Sequence, residues 1–193
     1  MDKPTEKLLF AMYTLRGIFD ASEVLRAVDR LDCPPNDLLV VTLYNSLFHT
    51  ICIDWCKLFG SCKEEHHWKK LIDQDAQESS RSDLEACIQR ALRDDRMGLQ
   101  GVEFVALADF HRQVTSYRNK FAAHLDTYDN VSLQRYPSVK ALRETALLLY
   151  SKLYTHLEGI EGVKNYPQPD QYKTENFYRN VSRFHQRLAN GLE

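Results

Sequence analysis

An Arg and a His stand six positions apart in the run Tyr117-Arg118-Asn119-Lys120-Phe121-Ala122-Ala123-His124-Leu125-Asp126. The two residue types suit phosphodiester chemistry. An imidazole takes or gives a proton near neutral pH, and a guanidinium holds phosphate oxygens with a fixed fork of donors. On a straight helix their side chains would point roughly 120° apart and sit about 9 Å apart along the axis. They converge on one phosphate only if the helix ends near Ala122, or if two copies of the chain meet about a twofold axis. The same spacing recurs at Arg179 and His185, so spacing alone does not select a site.

Context selects the first pair. It closes a strongly patterned helix and lies beside the small residues Ala122 and Ala123. On that helix His111, Thr115 and Arg118 fall on one face at i, i+4 and i+7, a polar stripe beside an apolar one. The second pair follows a proline-containing linker near the C-terminus, where chains are commonly mobile. A purely structural account of Arg118 and His124 also stands, because cations near a helix C-terminus interact favourably with its last carbonyls.

The elements that must carry these residues are helical. The apolar positions Leu8, Met12, Leu15, Phe19 and Leu25 recur at three- and four-residue steps, after Pro4 and before Cys33-Pro34-Pro35. Asn36 is the expected N-cap of a second helix reaching Phe59, with Val40, Tyr44, Leu47, Ile51, Trp55 and Leu58 as its seam and Gly60 as its stop. A short helix is expected around Trp68 to Ile72. Ser82 and Glu85 read as a capping box that opens a modest helix closed by Gly98. The third long helix spans about 101–122, with Ala106, Phe110, Val114, Tyr117 and Phe121 on its apolar stripe. The fourth uses Val139, Leu142, Ala146, Leu149, Leu153 and Leu157. No strand alternation of useful length interrupts this pattern. The expectation is an all-α fold: a four-helix core over 1–160 with a small helical insertion, then a linker and a helical appendage over 161–193.

Composition bounds the function. Seven Gly and six Pro in 193 residues disfavour sandwiches and glycine-rich nucleotide loops. With 25 Lys+Arg against 27 Asp+Glu, the net charge of -2 excludes coating nucleic acid by bulk charge, so any such contact is a local patch. The N-terminus lacks the basic-then-apolar order of a secretory signal, and Asn45, Ser46, His49 and Asp54 interrupt the most apolar stretch, Leu38 to Trp55. The five cysteines form no regular framework. A reduced, cytoplasmic protein with no membrane partner is expected. Cys52, Cys56, Cys62 and His66 are of types that bind zinc, but they lack a short Cys-x2-Cys knuckle and Cys52 falls on an apolar seam, which favours packing. His66-His67 beside Lys69-Lys70 reads as a solvated face. Most aromatics fall on apolar stripes. Tyr117, next to Arg118, and Tyr128 and Tyr136 in the following loop are the ones that could meet a base.

The Arg118-Asn119-x4-His124 run resembles the signature of HEPN domains, helical proteins named for higher eukaryotes and prokaryotes nucleotide-binding. Together with Ile53-Asp54-Trp55 and Lys57-Leu58-Phe59-Gly60 on the second helix, it resembles the abortive-infection branch of that family. The likeness covers roughly residues 1–160 and rests on two short motifs. It implies a homodimer whose composite site uses the Arg and His of both subunits. It also implies toxin-like or phage-defence activity, with metal-independent RNA cleavage that leaves a 2',3'-cyclic phosphate and needs no cofactor, and an antitoxin or regulatory partner. By the same resemblance Arg118 stabilises the phosphate, His124 transfers protons and Asn119 orients the pair. His111, Arg112, Tyr117, Lys120 and Asp126 are further candidates for substrate contact. The branch silenced by nucleotidylation carries a Tyr where this chain has Asp126, so control by that route is not expected. Some HEPN-like proteins serve only as RNA- or protein-binding regulatory modules, which is the alternative reading.

Overall fold

The first helix, α1 (Lys3–Val28), begins with Pro4 in its first turn, where a missing N–H costs nothing. It turns Ala11, Met12, Leu15, Ile18, Phe19 and Leu25 inward. Its buried hydroxyls, Thr14 and Ser22, donate to carbonyls four residues earlier, so neither is left unsatisfied. The helix ends at Val28, well before Cys33-Pro34-Pro35. In this computed structural model the described residues are 3–29, 37–72, 74–94, 107–119, 136–158 and 166–172.

Asp37, rather than Asn36, caps α2 (Leu38–Phe59). Its Oδ1 accepts from the backbone N–H of Leu39 at 2.9 Å and of Val40 at 3.0 Å. The later turns of α2 bury Phe48, Ile51, Cys52, Trp55, Cys56, Leu58 and Phe59. The first turns do not: Leu38 and Leu39 remain 79% and 77% exposed. By length and composition α2 could cross a membrane, and it is the one described helix that could. Its later turns pack on other helices.

Four-residue α3 (Trp68–Leu71) follows, and a 3-10 turn over Gln74–Ala76 leads into α4 (Gln77–Asp94). This start corrects the capping-box reading. Ser82 lies inside α4, and Glu85 pairs with Arg81 at 3.4 Å instead of reaching back to a cap. Nor is α4 a small insertion. It lays Leu84, Ile88, Ala91 and Leu92 into the common core along α6, and Asp83 pairs with Lys152 at 2.9 Å.

Helix α5 (Leu107–Tyr117) continues into a wide turn at 118–119, and α6 (Val139–Leu157) starts at the cap Ser138, whose Oγ accepts from Ala141 N–H at 3.2 Å. Trp55, fully buried at the centre, donates Nε1–H to Thr145 Oγ1 of α6 at 2.9 Å. That bond satisfies the one polar atom of a large buried ring. Beyond α6, residues 166–172 pack back on α1 and α6. Tyr150 donates to the Pro167 carbonyl at 2.7 Å, the Tyr172 ring packs tilted against Phe19 at 4.5 Å, and Arg143 donates to the Tyr172 carbonyl. The fold is all-α, with no strand among the described residues.

Candidate functional site

Helices α2 and α5 lie side by side and run in opposite directions. Near the end of α2, Trp55 meets Phe110 at 5.5 Å and His111 at 6.2 Å. Further back on α2, Phe48 meets Tyr117 at 4.9 Å. The apolar stripe Phe110, Val114, Tyr117 holds α5 in the core. The adjacent positions His111, Thr115 and Arg118 then line the edge of the seam.

His111 is a pin between the helices. Its Nε2–H donates to the Gly60 carbonyl at 2.8 Å, leaving Nδ1 as the acceptor of the neutral ring. Thr115 donates back to the carbonyls of His111 and Arg112 and offers no donor outward. Arg118 spans the Asn119 side chain, donating from Nε at 3.1 Å and from an amino group at 2.9 Å to Oδ1. Its partner is therefore a neutral amide, and among the described residues it has no carboxylate partner. Asn119 does lie where it can orient the guanidinium.

Below the seam sit two thiols. Burial pushes Cys56 up to about 11 although the Arg118 charge works the other way, and burial raises Cys52 further. Both are core residues rather than nucleophiles. Cys62 is exposed, and its sulfur approaches His67 Nε2 at 3.9 Å, whereas His66 packs on Phe10 at 4.2 Å. The four residues weighed for zinc thus point to different places, and among the described residues no three metal-capable side chains converge. His67 is buried, which with nearby Lys69 lowers it to about 4; its Nδ1 accepts from Lys69 N–H and caps α3.

The other sequence candidates divide. Tyr117 is only 6% exposed, so it cannot offer a face to a base; its place on the apolar stripe of α5 buries it. Arg112 points to solvent, 76% exposed, and pairs with Asp109 at 3.2 Å. Lys120, His124, Asp126, Tyr128, Arg179 and His185 lie outside the described residues. Two neighbours of the seam escaped the sequence reading as site residues or gained weight from packing. His49 on α2 lies 5.7 Å from the Tyr117 ring, and partial burial lowers its basicity. Tyr136, ahead of α6, is 49% exposed and rests on both Phe48 and Tyr117. A polar side chain interrupting the apolar run of α2 was the available signal for His49.

No family model, no curated protein and no solved structure matches this chain.

Proposed function

We propose that the chain is a HEPN-type endoribonuclease, toxin-like or defence-related, that acts in the cytoplasm as a homodimer. The observation that supports this reading best is Arg118. It stands at the exit of α5, at the edge of the α2–α5 seam, where it donates to the Asn119 amide oxygen and, among the described residues, meets no carboxylate. A guanidinium so placed suits a phosphodiester. In the proposed reaction the ribose 2'-oxygen attacks the neighbouring phosphorus, the 5'-oxygen leaves, and a 2',3'-cyclic phosphate remains. His124 carries protons between these oxygens, Arg118 stabilises the charge on phosphorus, and Asn119 holds the guanidinium plane. The two subunits together supply the Arg and His pairs of a composite site. Beyond Arg118, His111 keeps one ring nitrogen for substrate or solvent while its other anchors α5. Lys120 and Asp126 complete the proposed surroundings.

The test is cleavage of varied RNAs in EDTA by wild type, Arg118→Ala and His124→Ala. Wild type is expected to leave cyclic phosphate ends, and each variant to lose about 100-fold or more in rate. Cleavage unchanged in both variants overturns the site.

A second reading has its own observation. The first turns of α2 expose Leu38, Leu39, Val41 and Leu43, an apolar surface of the kind that binds proteins. A non-catalytic module that docks a protein partner there would retain RNA or protein binding and cleave nothing.

A further inference from the structure

Residues 166–172 bridge α1 and α6 and insert one ring between them. Tyr172 is buried, 4.5 Å from Phe19 of α1 and 5.3 Å from Tyr150 of α6, and those two rings lie 5.5 Å from each other. The three rings therefore close a triangle. Arg143 of α6 caps it, with its guanidinium 6.0 Å from the Phe19 ring and donating to the Tyr172 carbonyl. At the other end of the segment the Pro167 carbonyl accepts from Tyr150, and the Tyr166 hydroxyl reaches the Leu9 carbonyl at 3.5 Å. A short segment tied down at its ends opens locally at lower cost than the core beneath it unfolds. Glu23 stands one turn after Phe19 on α1, and its charge acts on both Arg143 and Tyr172. Burial raises its carboxyl to about 7, against the pull of Arg143 from α6; on its own helix Asp20 adds to the rise and Arg26 opposes it. The segment brings the phenol of Tyr172, which burial keeps neutral, and the exposed Asp170, and it carries no cation.

We propose that residues 166–172 form a pH-sensitive strap, docked on the α1–α6 pair while Glu23 is protonated and lifted when Glu23 ionises. Lifting the strap returns the carboxyl to water, which favours its charged form, so docking favours the neutral form in equal measure. Docking is then tightest below about pH 4.5, weakens as pH rises, and is weakest above about pH 7. Asp20, paired with Arg16 at 3.6 Å and also raised by burial, acts in the same sense. The lifted state bares the Phe19 and Tyr150 rings and the Arg143 guanidinium. None of this depends on the proposed ribonuclease activity.

The test is amide hydrogen exchange read by mass spectrometry on the full-length protein at about pH 5.5 and pH 8, corrected for the intrinsic effect of pH on exchange. In wild type the amides of 166–172 should lose about tenfold in protection between the two conditions. At both they should exchange faster than Ile51 to Leu58 in the buried turns of α2, as a local opening requires. Glu23→Gln replaces the carboxyl with a neutral group of the same shape and should hold the strap's protection within about threefold across the range. Tyr172→Ala removes the inserted ring and should lower protection of the strap at both pH values. Equal protection in wild type at the two pH values overturns the proposal, and so does an equal fall in wild type and Glu23→Gln. Strap amides that exchange no faster than those of α2 would overturn it too, because the segment would then open only with the whole fold. Unchanged protection in Tyr172→Ala would remove the ring as the anchor and sink the strap with it.

Discussion

Glu23 sits half-buried on α1 between charges of both signs. Burial is the main reason its carboxyl is raised to about 7; Arg143 and Arg26 pull it back, and Asp20 pushes it higher. The folded protein therefore prefers this side chain protonated at a pH where the unfolded chain, near 4.5, has already ionised it. The contribution to stability is complete below the unfolded value. It declines as pH rises from about 4.5 and is lost above about 7. Because the group is half-exposed, solvent screening reduces the effect to on the order of 1 kcal/mol. Asp20 and Asp29 on the same helix are raised by burial too, so the wild-type profile mixes all three. The difference between wild type and Glu23→Gln isolates one. Urea unfolding at pH 5 and pH 8 should show wild type losing more stability over that range than the variant. Parallel losses in the two proteins would remove Glu23 from this role. Arg143 also donates to the Tyr172 carbonyl and lies 3.8 Å from Glu144, so it retains partners when Glu23 is replaced.

The join between α2 and α5 depends on Gly60. Its φ of -74° is ordinary, and any residue could adopt it. What demands glycine is space, since a Cβ there would collide with the Cys56 carbonyl, the acceptor of the Gly60 N–H at 2.9 Å. The Gly60 carbonyl in turn receives His111 Nε2–H, so displacing residue 60 loosens the pin that docks α5. Gly60→Ala is expected to cost about 1–3 kcal/mol in urea unfolding and to speed amide exchange in α5. A change within about 0.5 kcal/mol would show that the loop absorbs the extra carbon. Gly60 was legible in the sequence as a stop, and so were the inward faces of α1, α2 and α6, because each follows helical periodicity over many turns. The start of α4 was not. Ser82 and Glu85 have the spacing of a cap, but the helix begins earlier, where Gln77 reaches back to the Lys69 carbonyl at 2.7 Å and Ser80 is buried. Arg118 entered the candidate site through its local motif. The weight of Tyr136 and His49 was not legible, since the rings that brace them come from helices far apart in sequence. Periodicity reports which face of a helix is buried, but it carries no information on which neighbour buries it.

At the scale of the whole molecule, the proposed composite site would need two chains, and α2 offers a surface that distinguishes the two functional readings. No charged side chain stands between Asp37 and Asp54. Along the exposed part of α2, Ser46 and Thr50 donate their hydroxyls to carbonyls one turn back, at 2.8 and 2.9 Å. Those donors are satisfied within the helix and lose little when covered. With Leu39 and Leu43 on the same stripe and Leu38 and Val41 exposed alongside in the first turns, this end of α2 gains from burial against another apolar surface. Under the ribonuclease reading a second copy of the chain covers it. Wild type should then sediment as a dimer at micromolar concentration, and the double substitution Leu38→Glu, Leu39→Glu should yield monomers that remain helical. Cleavage should fall with the dimer, because neither Arg118 nor His124 is altered and only their pairing across the twofold is lost. Wild type that stays monomeric to about 100 μM excludes a composite site, because Kd would then exceed that needed for a working dimer. The apolar face would instead belong to a different protein, as the binding-module reading requires. Dimers that persist in the double variant would place the twofold on another surface and leave the first turns of α2 without a part in self-association.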